Sequence, residues 1–468
     1  MNNLPPLSAP KITVIGTGYL GATHAICMAV MGFDVLGYDV DHRKIGQLQA
    51  GVVPFYEPGL PEKLQEALTS GRLRFTTDLD EVAQFGDVHF ICVGTPQAPN
   101  SSAANLTYVE SAFTELAARI THKSLLVGKS TVPIGTAARL AGMVADISPL
   151  GPALEVAWNP EFLREGFAVQ DTLHPDRLVF GVASAWSESM LRRAFEPLLT
   201  EGTPLIVADM PTAELVKVAA NSFLATKISF INAMAEVCEA TSADVSVLAA
   251  ALSLDDRIGP RFLKPGLGFG GGCLPKDIRA FKHRAEQLGV GQAVSFLGEV
   301  DSINNRRRIR TVDLIRELAG GSLAGVKVAA LGAAFKPNSD DVRDAPALDV
   351  ARMLYLEGAA VTVYDPEANT NAHRLYPDLN YVDSLATAAE GADVVALLTE
   401  WDEFRSADPD YLGGLVNHRR IVDGRHALDA GRYISSGWEY RALGRPYQAK
   451  AAAPSAVPQR DTTPNLAL

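Results

Sequence analysis

Cys273 lies in the run Gly268-Phe269-Gly270-Gly271-Gly272-Cys273-Leu274-Pro275-Lys276-Asp277, a thiol preceded by four glycines and followed by a Lys/Asp pair. Glycine at this density weakens any helix or strand, so its expected use is close approach of main-chain N–H groups to a ligand. A cation beside the thiol favours the thiolate, the form that attacks carbonyl carbon. Covalent catalysis is the chemistry this run suits. The competing reading is a Gly-rich turn around a small buried cysteine, because free Cys is among the most buried residue types. Glu214, Lys217 and Asn221 form a second group, at i, i+3 and i+7 in the stretch 211–241. That stretch carries Pro in its first turn, lacks internal Gly and reads as one long helix. Its polar residues are either a solvated stripe or groups aimed into a site.

The elements that would hold these groups begin near the N-terminus. Residues 11–15 read as a short apolar strand, Gly16-Thr17-Gly18-Tyr19-Leu20-Gly21 follows directly, and an Ala-rich helix runs on from it. A second strand, 34–38, ends on Asp39. This is the dinucleotide fingerprint in its required context: glycines for the tight turn, a helix N-terminus for the pyrophosphate, and a carboxylate about 20 residues on for the adenosine ribose hydroxyls. A carboxylate there repels a 2′-phosphate, so the expected cofactor is NAD rather than NADP.

Further strands are expected at 74–76, 88–93, 125–129 and 178–182, alternating with helical periodicity, which implies a parallel, doubly wound sheet. Beyond Gly325 the pattern repeats. Val326-Lys327-Val328-Ala329-Ala330-Leu331-Gly332 is strand then glycine, Val361-Thr362-Val363-Tyr364-Asp365 parallels Val35-Leu36-Gly37-Tyr38-Asp39, and 392–398 parallels 86–92. The expected class is α/β, with two Rossmann-like doubly wound domains, 1–209 and 319–448, joined by a central helical region, 210–318. The second domain lacks GxGxxG, so it is expected to hold a different nucleotide. Residues 449–468 are rich in Ala, Pro and Thr and read as a disordered tail.

The 468 residues are 47% apolar and 21% charged, ordinary for a soluble globular protein of two or three domains. The formal charge, 42 − 54 = −12, disfavours nucleic acid and anionic membrane as partners. No uncharged apolar run reaches the roughly 18 residues of a membrane helix, and residues 1–10 lack a basic segment followed by an apolar core, so a cytoplasmic protein is expected. Four cysteines, Cys27, Cys92, Cys238 and Cys273, show neither paired spacing nor a metal pattern, and the nine histidines form no HxxxH or HExxH cluster. A reduced compartment and no metal follow, with the first three cysteines as packing residues. Lys217, Arg257, Arg261, Lys264, Lys276, Lys336, Arg343 and Arg425 fall in or near Gly- and Pro-punctuated segments, which suggests pockets for an anionic small molecule inside an acidic protein.

Over residues 11–446 the chain resembles the UDP-glucose/GDP-mannose dehydrogenase family. The resemblance rests on Gly16 to Gly21, Gly94-Thr95-Pro96, Ser130-Thr131-Val132-Pro133-Ile134-Gly135, Asn159-Pro160-Glu161-Phe162-Leu163-Arg164-Glu165-Gly166, and the stretches 214–221 and 257–277. Phe335-Lys336-Pro337, Asp341-Val342-Arg343 and Asp423-Gly424-Arg425 complete it. It implies oxidation of a sugar C6 alcohol to a carboxylate with two NAD per substrate. UDP-glucose is the implied substrate, because 159–162 and 257–264 look like that branch.

The matching positions imply roles. Cys273 would carry a thiohemiacetal and then a thioester for water to hydrolyse. Lys217 and Asn221 would stabilise developing charge on oxygen, Asp277 and Thr131 would hold water or assist proton transfer, and Glu161 and Glu165 would serve hydrolysis. The general base stays open among Lys217, Asp277 and a bound water. Phe162, Leu163, Arg164, Lys264, Phe269, Gly270, Lys336 and Arg425 would join Lys217 and Asn221 around the sugar nucleotide. Gly16, Gly18, Tyr19, Leu20, Gly21, Asp39, Arg43, Gly94, Thr95, Thr131, Glu165, Lys276 and Arg343 would meet NAD. Arg257 would reach the neighbouring subunit's nucleotide, so the resemblance implies a homodimer or higher homo-oligomer. In it 210–318 is the dimerisation domain and 319–448 the UDP-sugar domain.

The commoner family run has Ser and Phe flanking the cysteine, where this chain has Gly272 and Leu274. A looser loop and tuned rates are expected. Relatives using GDP-mannose or UDP-N-acetylhexosamines share the thiol and the lysine; offering several sugar nucleotides separates them. A two-electron β-hydroxyacid dehydrogenase would share the cofactor domain and the Lys/Asn pair, yet needs neither Cys273 nor a second Rossmann-like domain. A catalytically silent NAD-binding regulator would leave Cys273 inert to iodoacetamide.

Overall fold

Short aliphatic runs become strands with both faces covered. β1 (Ile12–Ile15), β4 (Val88–Ile91) and β5 (Leu125–Gly128) are buried at every position, as strands of a sheet sandwiched between helices are. The computed structural model describes residues 9–446; the expected tail at 449–468 lies outside them. With β2 (Val35–Tyr38), β3 (Leu73–Thr76), β6 (Glu155–Trp158), β7 (Leu178–Gly181) and β8 (Leu205–Ala208) these strands form an eight-stranded sheet ordered β3-β2-β1-β4-β5-β6-β7-β8.

The expectation of a wholly parallel first sheet is corrected at one seam. β7 meets β6 antiparallel, through Trp158 and Gly181, and β8 runs with β7. A parallel neighbour requires a crossover that returns the chain to the opposite end of the sheet. After β6 the chain instead spends 159–166 at the strand ends and forms only a six-residue helix, Ala168–Leu173. It therefore enters β7 from the end at which it left β6.

The second sheet is parallel throughout and repeats the central order of the first. β9 (Lys327–Leu331), β10 (Ala360–Tyr364), β11 (Asn380–Tyr381), β12 (Val394–Leu397), β13 (Arg420–Asp423) and β14 (Glu439–Ala442) stand as β11-β10-β9-β12-β13-β14. The repeat read from the sequence is thus a repeat of topology. Asp365, the counterpart of Asp39, accepts from the N–H groups of Ala333 (2.7 Å), Ala334 (2.9 Å), Glu367 (3.0 Å) and Ala368 (2.9 Å) and from the Trp401 indole (3.0 Å). Both its oxygens are taken by its own chain.

Between the sheets runs the helix Met210–Thr241, 32 residues long, started by the Asp209 carboxylate on the Thr212 N–H and stopped at Ser242 in a left-handed conformation. It packs against the helices Leu274–Gln287 and Phe296–Leu318 through Ala225, Phe269, Ile278, Leu297 and Val300. No helix among the described residues is long and apolar enough to cross a membrane.

Candidate active site

The turn after β1 has the geometry a dinucleotide requires. Gly16 has φ +88°, and a Cβ there would come within 2.9 Å of the Val93 side chain; one on Gly21 would sit 1.8 Å from the Gly16 carbonyl. At Gly18 no atom lies within 4 Å of where a Cβ would be. Gly18 caps the helix Tyr19–Val30 without a side-chain hydrogen bond, so the first turn's N–H groups remain available to an anion. Asp39 accepts from the Thr17 N–H (2.8 Å) and the Lys44 ammonium (2.8 Å). Burial works against its charge, but Lys44 and the Asp41 and Thr17 amides outweigh it and hold the carboxyl below its usual range. An ionised acid beside an open helix N-terminus fits NAD. Arg43 is exposed on the following helix, where its N–H donates to Asp41 at 2.9 Å.

Across the same sheet edge lie the groups around the thiol. Glu214, Lys217 and Asn221 are all buried, so their stripe faces inward rather than into solvent. Glu214 accepts from the Gly135 (2.7 Å) and Ala137 (2.6 Å) N–H groups and so pins the segment after Thr131. The Lys217 ammonium lies 3.0 Å from Glu161, and the Asn221 amide donates to Asp277 at 2.7 Å. Asp277 also takes the Lys276 ammonium at 2.6 Å, and Lys276 reaches the Thr95 hydroxyl at 3.5 Å. Thr95 in turn donates to the Thr131 carbonyl at 2.8 Å. Phe162 sits beneath both the Arg177 guanidinium (3.9 Å) and the Lys217 ammonium (5.6 Å), and Leu163 donates its N–H to Glu161 at 2.8 Å.

Cys273 is the N-cap of the helix Leu274–Gln287 and is open to solvent at the floor of this cleft, whereas Cys27, Cys92 and Cys238 are buried. The expectation that a neighbouring cation would favour its thiolate is corrected. Depth in the cleft raises the thiol first and Asp277, Glu161 and Glu165 add to it; Lys217 opposes them, and the balance is pushed up to about 12. Lys217 itself is drawn down by burial but held above its usual range by Glu161, Cys273 and Asp277, so it stays a cation. Glu165 is lifted to about 7 by burial and then Asp341, against the pull of Arg343 and Lys336.

The glycine run has a use other than the expected approach to a ligand. A Cβ on Gly268 would lie 2.3 Å from the Asn304 side-chain oxygen, on Gly270 2.3 Å from the Asp344 carbonyl, on Gly271 2.8 Å from the Phe335 ring, and on Gly272 2.3 Å from the Arg343 guanidinium. The missing side chains admit protein from the second domain and from the helix Phe296–Leu318. Gly272 therefore does not leave the loop loose, because Arg343 fills the space. Asn304, buried and unforeseen from sequence, accepts from the Phe269 N–H (2.8 Å) and donates to its carbonyl (2.9 Å), clamping the loop. An Asn inside a helix was the one available signal. Arg425 donates to the carbonyls of Leu398 (2.7 Å), Gly268 (2.9 Å) and Phe335 (3.1 Å), so it ties the thiol loop to the second domain.

Several expected residues are held by partners outside the Lys217–Asp277 group, although Arg343 packs on Gly272 and both it and Lys336 act electrostatically on Cys273. Arg164 is turned to Asp171 (2.7 Å), Arg343 to Asp341 (2.6 Å) and Glu165 (3.5 Å), and Lys336 lies over the Phe335 ring, largely desolvated. Lys264 is on the surface, and the exposed Arg257 pairs with Asp255 at 2.6 Å.

A dinucleotide turn facing a thiol across an ion-paired cleft defines an NAD-dependent oxidoreductase. Residues 10–199, 211–306 and 329–430 match, in turn, the NAD binding, central and UDP binding domains of one family. The chain is 39% identical over 438 residues to the UDP-glucose 6-dehydrogenase of Rhizobium meliloti (strain 1021), covering 93% of this chain and 100% of that one. It is 38% identical over 437 residues to UDP-glucose 6-dehydrogenase TuaD of Bacillus subtilis (strain 168), 93% of each chain. Among solved structures, a UDP-glucose dehydrogenase from Pyrobaculum islandicum superposes with TM-score 0.85 at 37% identity, over 95% of this chain and 100% of that one. The chain belongs to the UDP-glucose/GDP-mannose dehydrogenase family.

Proposed function

We propose that this enzyme oxidises the C6 hydroxyl of UDP-glucose to the carboxylate of UDP-glucuronate in two stages, with Cys273 holding the intermediate. The observation that carries the reading is the convergence of Lys217, Asn221, Asp277 and Glu161 on an accessible thiol; the similarity to the Rhizobium and Bacillus enzymes supports UDP-glucose as the sugar nucleotide. Bound NAD supplies the hydride acceptor for each stage. In the first stage the C6 hydroxyl loses its proton as the hydride departs, and the fixed Lys217 cation stabilises the charge developing on oxygen. A lysine held in its charged form is a poor base, so proton removal falls to Asp277 or a water it orders.

The Cys273 sulfur then adds to the aldehyde carbon and its proton passes to the aldehyde oxygen, giving a thiohemiacetal. Loss of a second hydride and of that hydroxyl proton gives the thioester. Water attacks the acyl carbon, Glu165 accepts a proton from it, and the sulfur leaves and is reprotonated. The sum is RCH2OH + 2 NAD+ + H2O → RCOO− + 2 NADH + 3 H+, where R is the rest of the sugar nucleotide. The helix Met210–Thr241 leaves Phe223, Phe230 and Val237 exposed at seven-residue intervals, a face suited to a second copy of the chain. Arg257 serves the partner's nucleotide in that dimer.

The test is stoichiometry. Two NADH should form per UDP-glucose consumed, with no aldehyde captured by added hydroxylamine. One NADH with free aldehyde would overturn the covalent route, and faster turnover of GDP-mannose would overturn the substrate.

A further inference from the structure

The loop between the helices His42–Gln49 and Leu60–Thr69 directs three consecutive side chains at three parts of the molecule. The Phe55 ring lies 4.9 Å, centroid to centroid, from that of Tyr19, first residue of the fingerprint helix. Tyr56 packs on the core of the second domain, its ring 6.5 Å from that of Trp401. Glu57 is buried between them, and the reaction described above makes no use of it.

A carboxylate this deep is costly unless its oxygens are hydrogen-bonded. Glu57 accepts from the Gly166 N–H at 2.6 Å, the Ala168 N–H at 2.7 Å and the Tyr19 hydroxyl. Two of these donors close the segment that bears Glu161 and Glu165; the third belongs to the helix whose N-terminus takes the pyrophosphate. Tyr19 keeps its proton, because burial and then Glu57 push its ionisation far above the usual range. From the other side the segment is backed by the second domain: Gly166 has φ +77°, and a Cβ there would lie 2.7 Å from the Asn338 carbonyl. The segment cannot shift away from Glu57 without meeting Asn338.

We propose that Glu57 is a positioning residue: it fixes the 161–168 backbone and links it through Tyr19 to the dinucleotide turn, so that NAD and the sugar nucleotide each strengthen the other's binding. The link rests on the function proposed above only for the identity of the second ligand. NAD at the helix N-terminus orders Tyr19, Tyr19 orders Glu57, and Glu57 orders the segment whose Glu161 holds Lys217. Binding linkage makes the effect reciprocal.

Glu57→Gln keeps the size but turns an NH2 toward one of three donors. In the apo protein, amide exchange in the peptide containing Gly166 and Ala168 should quicken by about tenfold or more, while exchange in β1 and β4 stays slow. Calorimetry of the wild-type enzyme should give binding of NADH, which cannot oxidise the sugar, about fivefold or more tighter with UDP-glucose present, and the variant should lose that gain while its NADH affinity alone stays within about threefold. Its kcat should fall by about tenfold or more through misplacement of Glu161 and Glu165. Should the variant fold poorly, Tyr19→Phe keeps both amide bonds to Glu57 and the Phe55 packing while removing the hydroxyl that also accepts from the Gly166 N–H at 3.0 Å, and should lower the coupling without quickening exchange at Ala168. Absence of coupling in the wild type, or coupling and kcat unchanged in Glu57→Gln, would reduce Glu57 to a staple of the fold. A wild type that fails to bind UDP-glucose counts against the function instead, and exchange then decides alone whether Glu57 fixes the segment.

Discussion

Alkylation of Cys273 against pH tests the electrostatics of the cleft most directly. With the thiol pushed up to about 12, thiolate falls tenfold for each pH unit below that value. At pH 8 about one molecule in ten thousand carries it. Iodoacetamide reacts with that form alone, and the other three cysteines are buried, so mass spectrometry of the peptide containing position 273 follows a single event. The rate should climb about tenfold per pH unit between about pH 8 and pH 10 without levelling, whereas an ordinary cysteine, with a pKa near 8.5, levels across that range. Lys217→Met removes the cation that most favours the thiolate, ahead of Lys336 and Arg343, and leaves Glu161 without its partner. Both changes raise the thiol further, and a one-unit rise slows alkylation about tenfold at fixed pH. Loss of one partner of a buried pair costs about 3–5 kcal/mol of stability, so rates are taken below the variant's melting range. A plateau near pH 8, or equal rates in both proteins, would refute the reasoning. The expected outcome means that the resting thiol is protonated across the neutral range.

Asp39→Ala should weaken NAD binding by about 1.5–3 kcal/mol, the size of a hydrogen bond to a charged acceptor, and narrow the preference over NADP; fluorescence titration with both cofactors reads it. Glu165, lifted to about 7, is protonated below that pH and charged above it, so single-turnover thioester hydrolysis should quicken as pH rises through about 7, and Glu165→Gln should slow it and abolish that limb. Asn304→Ala leaves the buried Phe269 N–H unpaired, at about 1–3 kcal/mol, and its carbonyl with only the Arg308 donor at 3.5 Å, and should lower the melting temperature while sparing NAD affinity.

What the sequence disclosed was whatever local chemistry dictates. The Gly16 to Gly21 turn, the long helix and the repeat were legible because each has a fixed spacing and a physical reason for it. β6, β8, β11, β13 and β14 were not singled out, although β6, β8, β13 and β14 are as long as β1, β4 and β5, which were. The reversal at β7 was invisible because it depends on where 159–166 is held. Lys217 and Asn221 could be named from their stripe, but its inward direction follows from packing against the helix Leu274–Gln287. Glu57, Asn304 and the use of Gly270 to Gly272 escaped notice because their partners lie far along the chain, and no pattern in the residues themselves marks such pairs. The sign of the Cys273 shift escaped because burial decides it first, and burial follows from packing rather than from the neighbouring residues in the sequence.

The Arg425 clamp bears on how this enzyme matures. Its guanidinium joins Gly268, 157 residues earlier in the chain, and Gly271 donates its N–H to the Arg343 carbonyl. A polypeptide emerging from the ribosome can fold the first sheet and the long helix before either contact exists. Until residue 425 has been made and the second sheet has docked, the thiol loop lacks its backing. The backing of the thiol loop thus arrives late in synthesis, with residues 343 and 425.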